Sequence, residues 1–214
     1  MPNPHSSYLF CFDFDLTITR EHLHHYTQSQ ILSHIPRDKA CLRALQRLAS
    51  EGVKNAELLW ACIYDILLKG HGLAITSFTA FPELPLAFLS KGIRDLRQLS
   101  SSKEYDHYLH RPVVVYGPAS RQLLPPHKIA HTYYIDLPPQ EVQRYGKCKH
   151  IDKAQQVLAT KGLTFEQIVL IDDDEHNIEL AKQAGWIGIH VDTNDSEPTY
   201  LSSIKSLLHP PSPL

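Results

Sequence analysis

The chain has 214 residues, 43% of them apolar and 21% charged, the make-up of one globular domain or one domain with insertions, and not of a disordered or collagen-like polypeptide. Its 21 Lys and Arg stand against 23 Asp and Glu, a net charge of −2 with the 14 His neutral. Neither sign forms a long block, so a partner gripped mainly through nucleic-acid phosphates or anionic lipid is not expected.

Cys11, Cys41, Cys62 and Cys148 lie far apart with no Cys-x-x-Cys pair, which predicts reduced thiols in a cytoplasmic protein rather than a disulfide framework. The N-terminal MPNPHSSY lacks the basic-then-apolar pattern of a secretory signal. The longest apolar stretch, 58–68, is too short to span a bilayer and contains Asp65.

In chain order, an apolar run at 8–12 reads as a first strand. A polar, His-rich stretch follows at 20–36, where a simple crossover would already have begun its helix. Residues 38–50 place Cys41, Leu42, Leu45 and Leu48 on one helical face, and a helix over 55–69 ends at Gly70. A strand at 73–76, a helix at 82–98 and a strand at 112–116 come next. Residues 119–144 read as loop, with Pro pairs at 125–126 and 138–139 around a sixth strand at 132–137. Then come a helix at 151–160, a strand at 167–171, a helix at 177–184 closed by Gly185, and a strand at 187–191. Several strands are apolar at every position, as required of strands covered on both faces of a parallel sheet. Strands separated by helices predict an α/β fold with an open parallel sheet, helices on both faces and small helical or loop insertions. The expected organisation is a single domain over 1–208, with a helical insert at about 20–52 and a Pro-rich insert at about 118–146, and a Pro-rich tail at 209–214. Trp60, Ile63 and Tyr64 have helical spacing and read as core.

The chemistry lies at strand ends. In an open parallel sheet the ligand crevice lies beyond the carboxyl ends of the strands. The first strand runs into Phe12-Asp13-Phe14-Asp15-Leu16-Thr17, so Asp13 and Asp15 emerge at that mouth. A second acidic group, Asp172-Asp173-Asp174-Glu175, follows the strand at 167–171. Acids from two strand ends can surround a hard divalent cation such as Mg²⁺; without one they repel each other and some stay protonated. The competing explanation is that the second group simply caps the helix behind it. His22, His24, His25 and Tyr26 have spacings compatible with a transition-metal site, against which stands a polar helix face above the sheet.

FDFDLT resembles the first motif, DxDxT, of the haloacid dehalogenase (HAD) superfamily, specifically of its phosphatases, and LIDDDEHN resembles the fourth. Leu73-Ala74-Ile75-Thr76-Ser77 is similar to the second motif, with Ser77 the chosen residue and Thr76 the alternative. Gly146-Lys147-Cys148-Lys149-His150 is similar to the third, with Lys147 chosen and Lys149 the alternative. The resemblance implies a three-layer Rossmannoid (HAD-like) fold. It also implies that Asp13 attacks phosphorus and forms an aspartyl-phosphate, and that Asp15 is the general acid and base. Mg²⁺ would be held by Asp13, the Asp15 carbonyl, and Asp172 or Asp173. Ser77 and Lys147 would bind the remaining phosphoryl oxygens, and Thr17 would tie the loop after the strand.

Members of this superfamily commonly select substrates with a cap inserted after the first motif or between the second and third. About sixty residues separate Thr17 from Ser77, and the crossover helix takes part of them, so a small helical insert is expected rather than a large lid. A thinly covered crevice suits a phosphomonoester on a bulky partner, a phosphoprotein and in particular phosphotyrosine. The alternatives are a small-metabolite phosphatase or phosphotransferase of the same superfamily, or a catalytically silent phospho-binding module. A receiver domain fits less well, because there the acidic pair comes early and the phosphorylated Asp mid-chain.

Overall fold

Tyr8–Phe12 is β1, with all five residues buried. The computed structural model describes residues 7–48, 52–81, 84–85, 115–116, 123–124, 129–132, 138–194 and 199–210. β2 (Gly72–Thr76) and a strand over Gln167–Asp172 flank β1, both parallel to it. Side chains alternate across a strand, so each of these runs serves two cores. Phe10 and Phe12, with Leu73, Ile75, Val169 and Ile171, belong to one; Leu9 and Cys11, with Ala74, Ile168 and Leu170, belong to the other. An alternating polar pattern would put polar groups into one of those layers, which is why the runs are apolar throughout.

The first core is covered by α2 (Arg37–Arg47) and α3 (Ala56–Leu68), through residues such as Leu45 and Ile63, and by the helix Thr199–Leu208 through Tyr200, Leu201 and Ile204. The second is covered by the helices Cys148–Ala159, through Ile151, Ala154 and Leu158, and Glu175–Gln183, through Ile178 and Ala181. With α1 (Leu23–Leu32) and the helix Pro139–Tyr145, the helices in chain order are α1, α2, α3, α4 (Pro139–Tyr145), α5 (Cys148–Ala159), α6 (Glu175–Gln183) and α7 (Thr199–Leu208). The remaining strands are β3 (Val115–Tyr116), β4 (Leu123–Leu124), β5 (Ile129–Thr132), β6 (Gln167–Asp172) and β7 (Ile187–His190). The main sheet has the order β5-β2-β1-β6-β7, parallel throughout, and β3 and β4 pair antiparallel in a separate two-stranded sheet. Helices on both faces of an open parallel sheet are the expected α/β class.

Three expectations are corrected. Of the strand expected at 112–116 only Val115–Tyr116 is described, and it pairs with Leu123–Leu124 in a sheet separate from the main one. The position beside β2 goes to Ile129–Thr132, which meets the strand expected at 132–137 only at Thr132; residues 133–137 lie outside the described part. A strand at the end of a sheet tolerates polar residues such as His131, so an apolar run is a weak signal for it. Within the expected loop, Pro139–Tyr145 is helical, since Pro at the first turn of a helix loses no hydrogen bond. Of the helix expected at 82–98, only 84–85 are described, and they are helical.

Between β1 and α3, α1 and α2 form a helical pair tied off at its base. Thr19 and Val53 form an antiparallel bridge, and the N–H groups of Arg20 and Lys54 donate to the carbonyls of Gly52 (2.7 Å) and Ile18 (2.9 Å). Among the described residues, no helix is long and apolar enough to cross a membrane.

Candidate active site

The parallel sheet brings the carboxyl ends of β1, β2 and β6 to one edge, and Asp13, Ser77 and Asp172 stand there. Asp13 leaves β1 with its N–H still bonded to Ile171 O at 2.9 Å, which fixes it beside β6. Oxygens of Asp13, Asp172 and Asp173 lie within 4.8 Å of one another. Asp172 is the last residue of β6 and is buried. Its Oδ1 accepts from the Asp174 N–H at 2.9 Å, and Asn177 Nδ2 lies 3.3 and 3.2 Å from its two oxygens. Thr17 donates its hydroxyl to Asp173 Oδ1 at 3.0 Å and so joins the loop after β1 to the acidic group after β6. The helix start accounts for Asp174, whose side chain accepts from the His176 N–H at 2.9 Å, and for Glu175 in the first turn, but not for Asp172 and Asp173.

Lys147 precedes α5 and is buried. Its ammonium donates to Asp13 Oδ1 at 2.5 Å and to Thr76 O at 3.0 Å. Gly146 makes that approach possible: its φ is +46°, and a Cβ there would fall 2.4 Å from Asn177 Oδ1. Lys149 points elsewhere and bonds Glu141 at the surface. Ser77 lines the cavity above the acids. Thr76 is turned into the sheet, where its hydroxyl lies 3.5 Å from Phe12 O.

Asp15 is buried too and lines the same cavity, but its carboxylate is bonded to the start of α1 and lies outside the three-acid group. Oδ1 accepts from the N–H groups of Leu23 (2.8 Å) and His24 (3.4 Å), the first of α1, and Oδ2 lies 3.6 Å from His22 Nδ1. A carboxylate at a helix N-terminus satisfies donors that have no partner within the helix. The imidazoles of His22, His24 and His25 line the same cavity as the acids. His22 and His25 stack ring on ring at 3.9 Å, and Tyr26 lies under the Arg47 guanidinium. Among the described residues no His joins a group of three metal-capable side chains; the polar helix face is what forms.

Burial pushes the Asp13 carboxyl well above the usual carboxylate range against the pull of Lys147, with Asp172 and Asp173 adding to the rise. Burial also raises Asp172, opposed by Lys147 and by the Asp174 and Asn177 hydrogen bonds. Burial works to lower the Lys147 ammonium, but Asp13 and Asp172 beside it hold it above its ordinary value. One ammonium thus faces three carboxylates. A donor set made only of oxygens, with more negative charge than its single cation offsets, is the set that a hard dication such as Mg²⁺ takes. The whole lines a cavity of about 520 Å³, to which the loop after β2 contributes Ser77 and Phe78 and the start of α1 contributes His22, His24 and His25.

Asn177 and Phe78 carry no mark as site residues in the sequence. For Asn177 the available signal is its place one turn into the helix behind Asp172, which returns its amide to the strand end. Phe78 offers its ring to the Lys147 ammonium at 4.3 Å and stands edge-on to the buried His150 at 4.5 Å; it has only its adjacency to Ser77 as a signal.

No protein-family model matches the chain, and no curated protein matches it in sequence. Solved structures do. The chain is similar to Protein Tyrosine Kinase A of Mycobacterium tuberculosis, with 14% identity over 90% of this chain and 87% of that one and a TM-score of 0.44. It is similar to a phosphoserine phosphohydrolase-like protein of Francisella tularensis, with 14% identity over 86% and 87% and a TM-score of 0.38. It is also similar to a predicted HAD-like family hydrolase of Porphyromonas gingivalis, with 14% identity over 95% and 98% and a TM-score of 0.41. HAD-like hydrolases are among its structural neighbours.

Proposed function

We propose that the protein is a Mg²⁺-dependent phosphomonoester hydrolase that works through an aspartyl-phosphate on Asp13. The observation that carries this reading is the meeting of Asp13, Asp172, Asp173 and the buried Lys147 at one strand-end cavity. An Asp13 oxygen attacks phosphorus as the bond to the alcohol oxygen breaks, and Asp15 gives that oxygen its proton. Asp15, now a carboxylate, takes a proton from water. The resulting hydroxide attacks phosphorus, releasing phosphate and regenerating Asp13. Lys147 and Ser77 hold the phosphoryl oxygens over which negative charge spreads in the transition state. Thr17 keeps Asp173 in place. Asp13, Asp172 and Asp173, with the Asp15 carbonyl, would hold Mg²⁺, which would supply positive charge for a dianionic phosphate to approach a carboxylate.

The cavity volume of about 520 Å³ has room for a phosphorylated side chain as well as for a small ester; the proposed substrate is a phosphoprotein, with phosphotyrosine as the first case to test and small metabolites as the alternative. The test is a panel of phosphopeptides and small phosphate esters with wild type and Asp13→Asn side by side. Mg²⁺-dependent turnover lost in Asp13→Asn supports the reading. Turnover of sugar phosphates alone moves the substrate to small metabolites, and no turnover of any ester leaves a phospho-binding module.

A further inference from the structure

Two walls of the cavity belong to different parts of the chain: the loop after β2 brings Ser77 and Phe78, and α1 brings its imidazoles. These parts meet at Ala80 and Phe81. The Ala80 N–H donates to His24 Nδ1 at 3.3 Å, and the Ala80 carbonyl accepts from Arg37 Nη2 at 2.8 Å. Both polar groups of one peptide segment are therefore taken by the insert, one by α1 and one by α2. The side chain of the next residue joins the same contact. Phe81 is 4% exposed, with the His24 ring 5.3 Å and the Arg37 guanidinium 4.8 Å from its centroid. A hydrogen bond accepted by Nδ1 requires that nitrogen to be unprotonated. The loop itself is stiffened from within: the Phe81 N–H donates to Thr79 Oγ1 at 3.1 Å. Singly these contacts are modest. Placed on two adjacent residues by two helices, they fix the distance between the walls.

We propose that Arg37 and His24 are positioning residues that clasp the helical insert to the Ser77 loop and thereby set how large an alcohol the phosphate ester can carry. Neither group touches the reacting atoms; each acts through the placement of Ser77 on one side and of α1 on the other. The proposal rests on the phosphatase reading and adds a size filter to it. With the clasp closed, a small ester is held from both sides. With it broken, the walls part, a small ester loses contacts, and a peptide chain gains room.

Phenyl phosphate and a phosphotyrosyl peptide share a phenolic leaving oxygen, so their ratio of kcat/KM reports size rather than leaving-group reactivity. In Arg37→Ala that ratio should move toward the peptide by about tenfold, mainly through a higher KM for phenyl phosphate, as expected for the loss of one charged hydrogen bond and its stacking contact. Arg37→Lys keeps a donor for the Ala80 carbonyl and should recover part of the shift. Hydrogen exchange at 22–26 and 79–81 should quicken in Arg37→Ala while β1 and β6 amides stay slow, which shows that the variant is folded. If wild type hydrolyses both esters and the ratio stays within about twofold in Arg37→Ala, or exchange at those segments does not change, the clasp is overturned and the phosphatase reading stands. If wild type hydrolyses neither, the phosphatase reading falls and takes the size filter with it.

Discussion

Lys147 donates to Asp13 at 2.5 Å across 134 residues of chain. Its second hydrogen bond, to Thr76 O at 3.0 Å, makes one ammonium the meeting point of β1, β2 and the start of α5. With side-chain exposures of 4% and 9% the pair is screened little by solvent, so its geometry is held by protein groups rather than by water.

Lys147→Met should therefore lower kcat/KM for a phosphate ester by about 10²–10³-fold, the usual consequence of removing one fixed donor from a developing negative charge. Lys149→Met removes only a surface pair with Glu141 and should leave kcat/KM within about twofold. Steady-state kinetics on both variants checks the assignment of the lysine.

Removal and return of metal gives a test independent of turnover. A ligand that binds only the folded protein raises its stability by about 2.7 kcal/mol at a hundred times its Kd. Mg²⁺ added after EDTA treatment should raise the melting temperature of the wild type. Asp172→Asn should abolish most of that rise, and thermal denaturation with and without Mg²⁺ measures both.

Gly146 supports the site without touching it. Its φ of +46° disfavours any other residue, and an added Cβ would press on Asn177, whose amide holds Asp172. Gly146→Ala should cost about 1–3 kcal/mol of stability and, by disturbing Asn177, weaken Mg²⁺ binding about tenfold. Urea denaturation and a Mg²⁺ titration of melting temperature read the two effects separately.

Tyr200 provides a control away from the site. It packs against the first core, and its buried hydroxyl finds no hydrogen-bond partner among the described residues. Tyr200→Phe removes an unsatisfied polar atom and should leave stability equal or raise it by up to about 1 kcal/mol, again by urea denaturation.

What the sequence makes legible follows from how many layers constrain each segment. β1 and β6 are buried on both faces, so their residues are apolar at nearly every position and their ends, with the acids, are placed to within a residue. Among the described residues β5 has one neighbour, β2, and its sequence includes His131, which makes it less conspicuous than the more apolar 112–116. α1 buries only Leu23 and Thr27; without an apolar stripe it reads as a polar, His-rich insertion. α7 does carry a stripe, Tyr200, Leu201, Ile204 and Leu208, and is legible in hindsight despite its many serines. Composition does not separate Lys147 from Lys149 or Ser77 from Thr76. Adjacent or alternate residues differ in direction, and direction is set by the turn at Gly146 and by the pleat of β2.

The central claim, that position 13 is the nucleophile, is tested most directly by acid-quenching the protein during turnover of a phosphorus-labelled ester with Mg²⁺ and locating the label. Label is expected on the peptide containing Asp13, sensitive to hydroxylamine as an acyl phosphate is, and none in Asp13→Asn. Label on any other residue, or undiminished hydrolysis by Asp13→Asn, would contradict it.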